Sequence, residues 1–153
     1  MPTRRTLLAA AAASLAAPAI ARAQAVKKLT FYYPIAVGGP IQAIIDGYCR
    51  DFRTETGIEV APVYAGDYSQ TLMKATAAVH GGQGPQFAVL LAAEIHSLQA
   101  SDLIVPLDEV GLDANAKAWL GGFWPALMAN SQTGGKIWSV PFQRSTALMY
   151  YNK

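Results

Sequence analysis

Beyond an apolar opening stretch, residues 7–20, the chain alternates between short extended patterns and longer helical ones. Leu29-Thr30-Phe31-Tyr32-Tyr33 is rich in β-branched and aromatic side chains, and Pro34 stops it, which predicts a strand. Ala36-Val37-Gly38-Gly39-Pro40 reads as a small-residue loop, with Pro40 suited to the first turn of a helix. Ile41, Ile44, Ile45, Tyr48, Cys49 and Phe52 then fall on one helical face, while Gln42, Asp46, Arg50 and Arg53 lie largely off it. Gly57 is a natural residue to end that helix. Cys49, on the apolar face, is expected to be a buried structural thiol.

Residues 58–64 predict a second strand, and Ala65-Gly66-Asp67 a turn in which Asp67 or Ser69 caps the next helix. That helix runs to about Val79 and ends at Gly81-Gly82. Residues 86–93 form an apolar run after Gly84-Pro85, expected to be a strand buried on both faces. Residues 94–100 read as a short helix, 103–107 as extended, and 113–130 as a helix weakened by Gly121-Gly122 and Pro125. Thr133-Gly134-Gly135-Lys136 is a hairpin turn whose second strand is 137–142, and 145–151 is again strand-like. Such alternation predicts an α/β fold: right-handed crossovers and a mostly parallel sheet with helices on both faces.

The first 25 residues read differently. Arg4-Arg5 precede the apolar run of residues 7–20, which is shorter than the roughly 20 residues of a membrane span. Ala21-Arg22-Ala23 and Ala23-Gln24-Ala25 both offer a small-x-small cleavage pattern, so residues 1–25 are expected to be a signal peptide cut near Ala23 or Ala25. Thr3-Arg4-Arg5-Thr6-Leu7-Leu8 resembles a twin-arginine signal, and ordinary Sec export fits equally. Either route places the mature chain in the periplasm. The formal net charge of +2 owes three positive charges to this leader, which holds no acid. The remainder is near neutral, which argues against nucleic acid or an anionic membrane as a partner. Cys49 is the single cysteine, so neither a disulfide framework nor a cysteine-built zinc site is available within the chain.

Reaction machinery is scarce. Gly81-Gly82-Gln83-Gly84-Pro85 and Gly134-Gly135-Lys136-Ile137 both lack the Gly-Lys-Ser/Thr of a phosphate loop, and no Gly-x-Ser-x-Gly elbow occurs. His80 precedes a helix-ending glycine pair. His96 lies two residues from Glu94, so the two point to different sides of a helix. The expectation is a binder without metal or cofactor, not an enzyme. Binding equipment is present: all seven tyrosines and all three tryptophans lie beyond the leader. Rings of this kind pack on sugar faces, and their hydroxyls give directional hydrogen bonds, although aromatic residues are also ordinary core material. Tyr68 follows Gly66-Asp67 at the start of a helix, where ligands gather beyond the carboxyl ends of parallel strands. Gly38-Gly39 occupies the equivalent place after the first strand, as a tight turn or as a ligand contact.

Val140 to Lys153, Val63 to Tyr68 and Leu103 to Asp108 together resemble the family 1 extracellular solute-binding proteins of ABC importers. Val140-Pro141-Phe142-Gln143-Arg144-Ser145-Thr146-Ala147-Leu148-Met149-Tyr150-Tyr151-Asn152-Lys153 is similar to the family's hinge segment, V-P-x-x-x-S-T-x-x-x-Y-Y-N-K. Val63-Tyr64-Ala65-Gly66-Asp67-Tyr68 is similar to the Y-x-G-N-Y element of its glycerol-phosphate branch, and Leu103-Ile104-Val105-Pro106-Leu107-Asp108 to its L-I-x-P-L-D stretch. The resemblance implies two α/β lobes that close on a sugar, polyol or glycerol-phosphate-like solute and deliver it, as a monomer, to the membrane permease. It implies solute contacts from Tyr68 and Ser145. Arg144 is either a further anion-binding charge or a solvated hinge residue. The branch's glutamate near the end of the third strand is not matched: Leu91-Ala92-Ala93 stands there, with Glu94 out of register. The implied organisation is a signal peptide at 1–25, most of the first lobe at 26–139, and a crossing strand at 140–153 leading to a second lobe not encoded here. A secreted enzyme with its catalytic part in a missing C-terminal region, or a small complete interaction domain, are the alternatives.

Overall fold

The computed structural model describes residues 28–34, 40–143 and 148–152. The expected leader, Gly38 and Gly39, and Arg144 and Ser145 lie outside these residues. Three parallel strands form the central sheet in the order β2-β1-β3: β1 (Lys28–Tyr33), β2 (Glu59–Tyr64) and β3 (Phe87–Ala88). β1 pairs along its whole length with β2, Lys28 opposite Glu59 and Tyr33 opposite Tyr64. Its other edge pairs Phe31 with Phe87 and Tyr32 with Ala88. Between the strands run α1 (Ile41–Thr56) and α2 (Tyr68–His80). The strand-helix-strand-helix-strand order expected from the sequence is the one observed, and it is the architecture of a lobe built on a parallel sheet.

Local chemistry explains the boundaries. α1 ends where Gly57 adopts φ 74°, and its N–H donates to the Arg53 carbonyl oxygen at 2.9 Å. Glu59, the first residue of β2, lies 3.2 Å from Lys28 Nζ and 3.7 Å from Arg53 Nη1, joining the start of the sheet to the end of α1. These pairs are exposed, and each contributes at most about 1 kcal/mol. α2 runs to His80, and the Gly81 N–H closes it on the Ala77 carbonyl oxygen at 3.0 Å.

The core of the sheet is Phe31, Tyr33 and Ile45, with Cys49, Val60 and Val89 packed against it. Phe31 stacks on Phe87 at 4.6 Å between ring centroids. Only part of the expected apolar face of α1 is covered. Ile45 is buried and Cys49 half-buried, whereas Ile41, Ile44, Tyr48 and Phe52 remain 41–68% exposed. The helix rests mainly on β2 and the adjoining strand, so a single line of side chains meets the sheet and the flanking ones overhang it.

The second half is more irregular than its hydrophobicity suggests. The strand expected at 86–93 is only Phe87–Ala88, and Phe87 is 43% exposed. It is an edge strand with one neighbour among the described residues, and after Val89 the chain turns into a 3₁₀ turn at Ala92–Glu94. Then come α3 (Ile95–Ala100), a second 3₁₀ turn at Leu107–Glu109, α4 (Ala114–Gly121) and α5 (Pro125–Met128). Gly122 and Pro125 thus divide the long helix expected at 113–130. The hairpin at Gly134-Gly135 joins β4 (Gln132–Thr133) to β5 (Lys136–Ile137), much shorter than the expected strand at 137–142. Residues 148–152 form no strand. Asp108, the acid of the Pro106-Leu107-Asp108 stretch, accepts the Ile137 N–H at 2.8 Å, while Lys136 Nζ meets Glu109 at 2.7 Å. That stretch therefore holds the hairpin to the body of the lobe.

Burial, followed by the nearby Asp46 carboxylate, raises the pKa of the Cys49 thiol. The fold favours the neutral thiol, so this contribution to stability is present below the ordinary thiol range and is lost as pH rises above it. Alkylation of Cys49 by iodoacetamide at about pH 8 is expected to be several-fold slower in the folded chain than in urea, as read by mass spectrometry. Equal rates would show that the thiol is neither buried nor shifted.

Candidate functional site

Parallel pairing brings the carboxyl ends of β1, β2 and β3 to one edge of the sheet. Two backbone bonds extend the ladder there: the Ala65 N–H donates to the Tyr33 carbonyl oxygen at 3.0 Å, and the Val89 N–H to that of Tyr32 at 2.9 Å. Ala65 is fully buried. Gly66 follows at φ 108°, a conformation that disfavours side chains, and a Cβ there would run into the side chain of Gln70. Asp67 then caps α2. Its carboxylate accepts the Gln70 N–H at 2.8 Å, while Gln70 Oε1 accepts the Asp67 N–H at 3.1 Å. Of the two caps the sequence allowed, the structure uses Asp67. Thr71, fully buried, donates its hydroxyl to the Asp67 carbonyl oxygen at 2.8 Å.

This rigid turn presents Tyr68 as the first residue of α2, half-buried at the mouth of a cleft of about 160 Å³. Ser69, Leu72, Met73, Leu91 and Glu94 complete its lining. Leu72 lies one turn after Tyr68 and so shares its face. The Tyr68 hydroxyl accepts a hydrogen bond from Gln143 Nε2. Next to Gln143, the Phe142 ring sits edge-on to Phe31 at 6.4 Å. Residues 142 and 143, near the start of the hinge-like segment, therefore lie against β1 and the start of α2.

Of the residues singled out from the sequence, Tyr68 is in the cleft. Gly38, Gly39, Arg144 and Ser145 fall outside the described residues, although Gln143, directly before Arg144, touches Tyr68. Glu94 stands out of register by position counting, yet it lines the cleft with Tyr68. The 3₁₀ turn at Ala92–Glu94 explains this, because it rotates the chain by about a third of a turn per residue instead of alternating sides as a strand does. Gln143 was also missed; only its place in the hinge-like segment pointed to it. A second shallow cleft, bordered by Ala92, Ala93, Ile95, His96, Ala129, Asn130 and Gln132, lies along the same turn. Among the described residues no three histidine, cysteine or acidic side chains group closely enough to hold a metal ion.

The family model described as bacterial extracellular solute-binding protein matches residues 47–153. The chain belongs to that family. Among its relatives is the sn-glycerol-3-phosphate-binding periplasmic protein UgpB of Yersinia pestis, 30% identical over 138 residues, which cover 87% of this chain and 30% of that protein. The Escherichia coli O1:K1 protein of the same name is 29% identical over 148 residues, covering 94% of this chain and 33% of that one. The chain thus spans about a third of the length of the curated relatives it matches. Among solved structures, an extracellular solute-binding protein family 1 member from Alicyclobacillus acidocaldarius aligns with a TM-score of 0.59 at 17% identity, covering 73% of this chain and 27% of that one. The Thermus thermophilus maltotriose binding protein, bound with maltotriose, aligns with a TM-score of 0.58 at 16% identity, covering 71% and 27%. The fold is accordingly that of a periplasmic-binding-protein-like lobe.

Two substitutions test the turn that carries Tyr68. Gly66→Ala is expected to destabilise the lobe by about 1–3 kcal/mol through backbone strain and the displaced Gln70. Asp67→Ala should cost about 0.5–2 kcal/mol through the lost cap. Urea denaturation followed by circular dichroism reads both; wild-type midpoints would mean the turn is not held as described.

Proposed function

We propose that the chain is the first part of a periplasmic solute receptor for an ABC importer, binding a sugar, polyol or glycerol-phosphate-like solute and presenting it to the membrane permease. Residues 1–25 act as the export signal, 26–139 as most of one lobe, and 140–153 as the strand crossing to a second lobe. The observation that carries this reading is the Tyr68 cleft at the strand tips, tied to the hinge-like segment by Gln143. The bond couples the ligand-facing edge of the lobe to the segment that a closing motion would move. Relatives of this family with solute-binding names, and about three times the length, support the same view.

Tyr68, Ser145 and Arg144 supply hydroxyl and guanidinium groups to the solute, and Gly38-Gly39 its backbone contacts. Binding and lobe closure are the whole activity, without bond chemistry. The overhanging side chains of α1 and the 69–92% exposure of Leu148, Met149, Tyr150 and Tyr151 fit a lobe whose remaining partners are supplied by further chain.

A thermal-shift screen of the two-lobed protein against sugars, polyols and phosphodiesters should reveal a stabilising ligand. With that ligand, Tyr68→Ala and Ser145→Ala are each expected to weaken binding by about 1–3 kcal/mol in calorimetry. Unchanged affinity in both variants would remove these residues from the site. An alkaline phosphatase fusion to residues 1–25 should be active outside the cytoplasm; an inactive fusion would overturn the export assignment.

A further inference from the structure

The chain holds four methionines in different settings. Met1 lies in the expected leader, Met128 is buried at 5% exposure, and Met149 stands on the hinge-like segment at 92%. Met73 is 65% exposed and lines the Tyr68 cleft, where it forms an apolar wall with Leu72 and Leu91. It brings the only sulfur to that lining. Its place follows from α2: Tyr68 and Leu72 lie one turn apart, as do Ser69 and Met73, so the four share adjoining rows of the helix. Leucine would serve the packing role, as it does at residues 72 and 91. A thioether differs from leucine in that its sulfur lone pair attacks electrophilic oxygen. Susceptibility follows exposure, and the product is a polar, chiral sulfoxide in place of a flexible apolar group. With a hydroperoxide the step balances. The S–O bond forms as the O–O bond breaks, and the proton on the transferred oxygen passes to the departing one, giving water or an alcohol. Sulfur loses two electrons and the peroxide gains them.

We propose that Met73 is a reversible oxidation site, at which a hydroperoxide turns the apolar wall of the cleft polar and lowers its affinity for the solute. The proposal rests on the receptor reading above and adds a control to the same cleft. A solute seated against the wall covers apolar surface, whereas a sulfoxide oxygen in that wall must be desolvated whenever the solute covers it. The contact works in both directions. Bound solute shields the sulfur from peroxide, so occupancy and oxidation oppose each other. Reduction returns the thioether: two thiols give up their hydrogens, join as a disulfide and release the oxygen as water.

The test is peptide mass spectrometry of the two-lobed protein after hydrogen peroxide, paired with calorimetric titration before and after treatment. Maltotriose, mannotriose, tagatose and sn-glycerol 3-phosphate are the probes. Met73 is expected to oxidise about tenfold faster than Met128, and a saturating probe that binds should slow it several-fold. Oxidation should weaken binding of that probe about tenfold, and methionine sulfoxide reductases with dithiothreitol should restore it. Met73→Leu removes the sulfur, so its affinity should be the same before and after peroxide, whereas Met149→Leu should lose affinity as the wild type does. Met73→Gln, polar without oxidation, should bind weakly from the outset. Melting curves report whether each variant is folded. Met73 oxidising no faster than Met128, an affinity that peroxide leaves intact, or a loss that Met73→Leu shares would each overturn the proposal and leave the receptor reading standing. A wild type that takes up none of the four probes, and no other sugar, polyol or phosphodiester, overturns the receptor reading and the proposal with it.

Discussion

Everything at the candidate site depends on β1 being paired in parallel on both of its edges. The ladder with β2 fixes where Tyr64 ends and hence where Ala65-Gly66-Asp67 turns. The shorter ladder with β3 fixes where the chain leaves the sheet toward Leu91 and Glu94. A slip of one residue in either register would reverse the sides of the sheet on which side chains stand. Both registers are held beyond the strands themselves. The Gln86 side-chain carbonyl accepts the Thr30 N–H at 2.6 Å, and the Gln86 N–H donates to the Thr30 carbonyl oxygen at 3.1 Å. At the opposite end, Ala65 and Val89 each donate to β1 carbonyl groups. The cleft is thus a product of backbone pairing, and its side chains are placed by the two crossovers.

The turn into α2 shows how local chemistry converts that pairing into a rigid mount. Gly66 permits a backbone angle that the reciprocal Asp67–Gln70 cap then locks, and Thr71 is buried beneath it. Tyr68 is thereby set at the first position of α2. It lines the cleft, and its hydroxyl is already engaged by Gln143. In the proposed receptor, a residue shared between the lobe and the crossing segment would feel both ligand and motion, so that a binding event there would bias the hinge.

The sequence showed the alternation of strands and helices because period two and period 3.6 are properties of short stretches. β1, α1, β2 and α2 all lie within a few residues of where those periods put them. It did not show the length of β3, because an apolar run does not reveal how many neighbours will cover it. Residues 86–93 are hydrophobic enough for a central strand, yet only two of them pair. The same limit applies to α1, whose face is continuous in sequence but only one line deep in contact with the sheet. At the site, Tyr68 was readable from the Gly-Asp-Tyr order at a strand end. Glu94 was not, since a 3₁₀ turn breaks the correspondence between position in the chain and side of the sheet.

Two of the exposed apolar surfaces differ in setting, and physics treats them differently. Leu91 and Met73, 46% and 65% exposed, stand beside an acid, a serine and a tyrosine hydroxyl. An apolar wall edged with polar groups suits a small amphipathic solute, whose release restores the wall to water at modest cost. Ile41, Ile44, Tyr48 and Phe52 form an exposed strip along α1. Fully burying an aliphatic or aromatic side chain contributes about 1.5–3 kcal/mol, so a half-exposed strip of four forgoes several kcal/mol in all. That is comparable with the whole stability of a small domain, roughly 5–15 kcal/mol. A lobe carrying that strip uncovered would be marginal, whereas the cleft wall can stay open without such a penalty. The proposed remainder of the receptor is therefore needed first for the strip on α1, as a matter of stability. The cleft needs it second, to close over the solute.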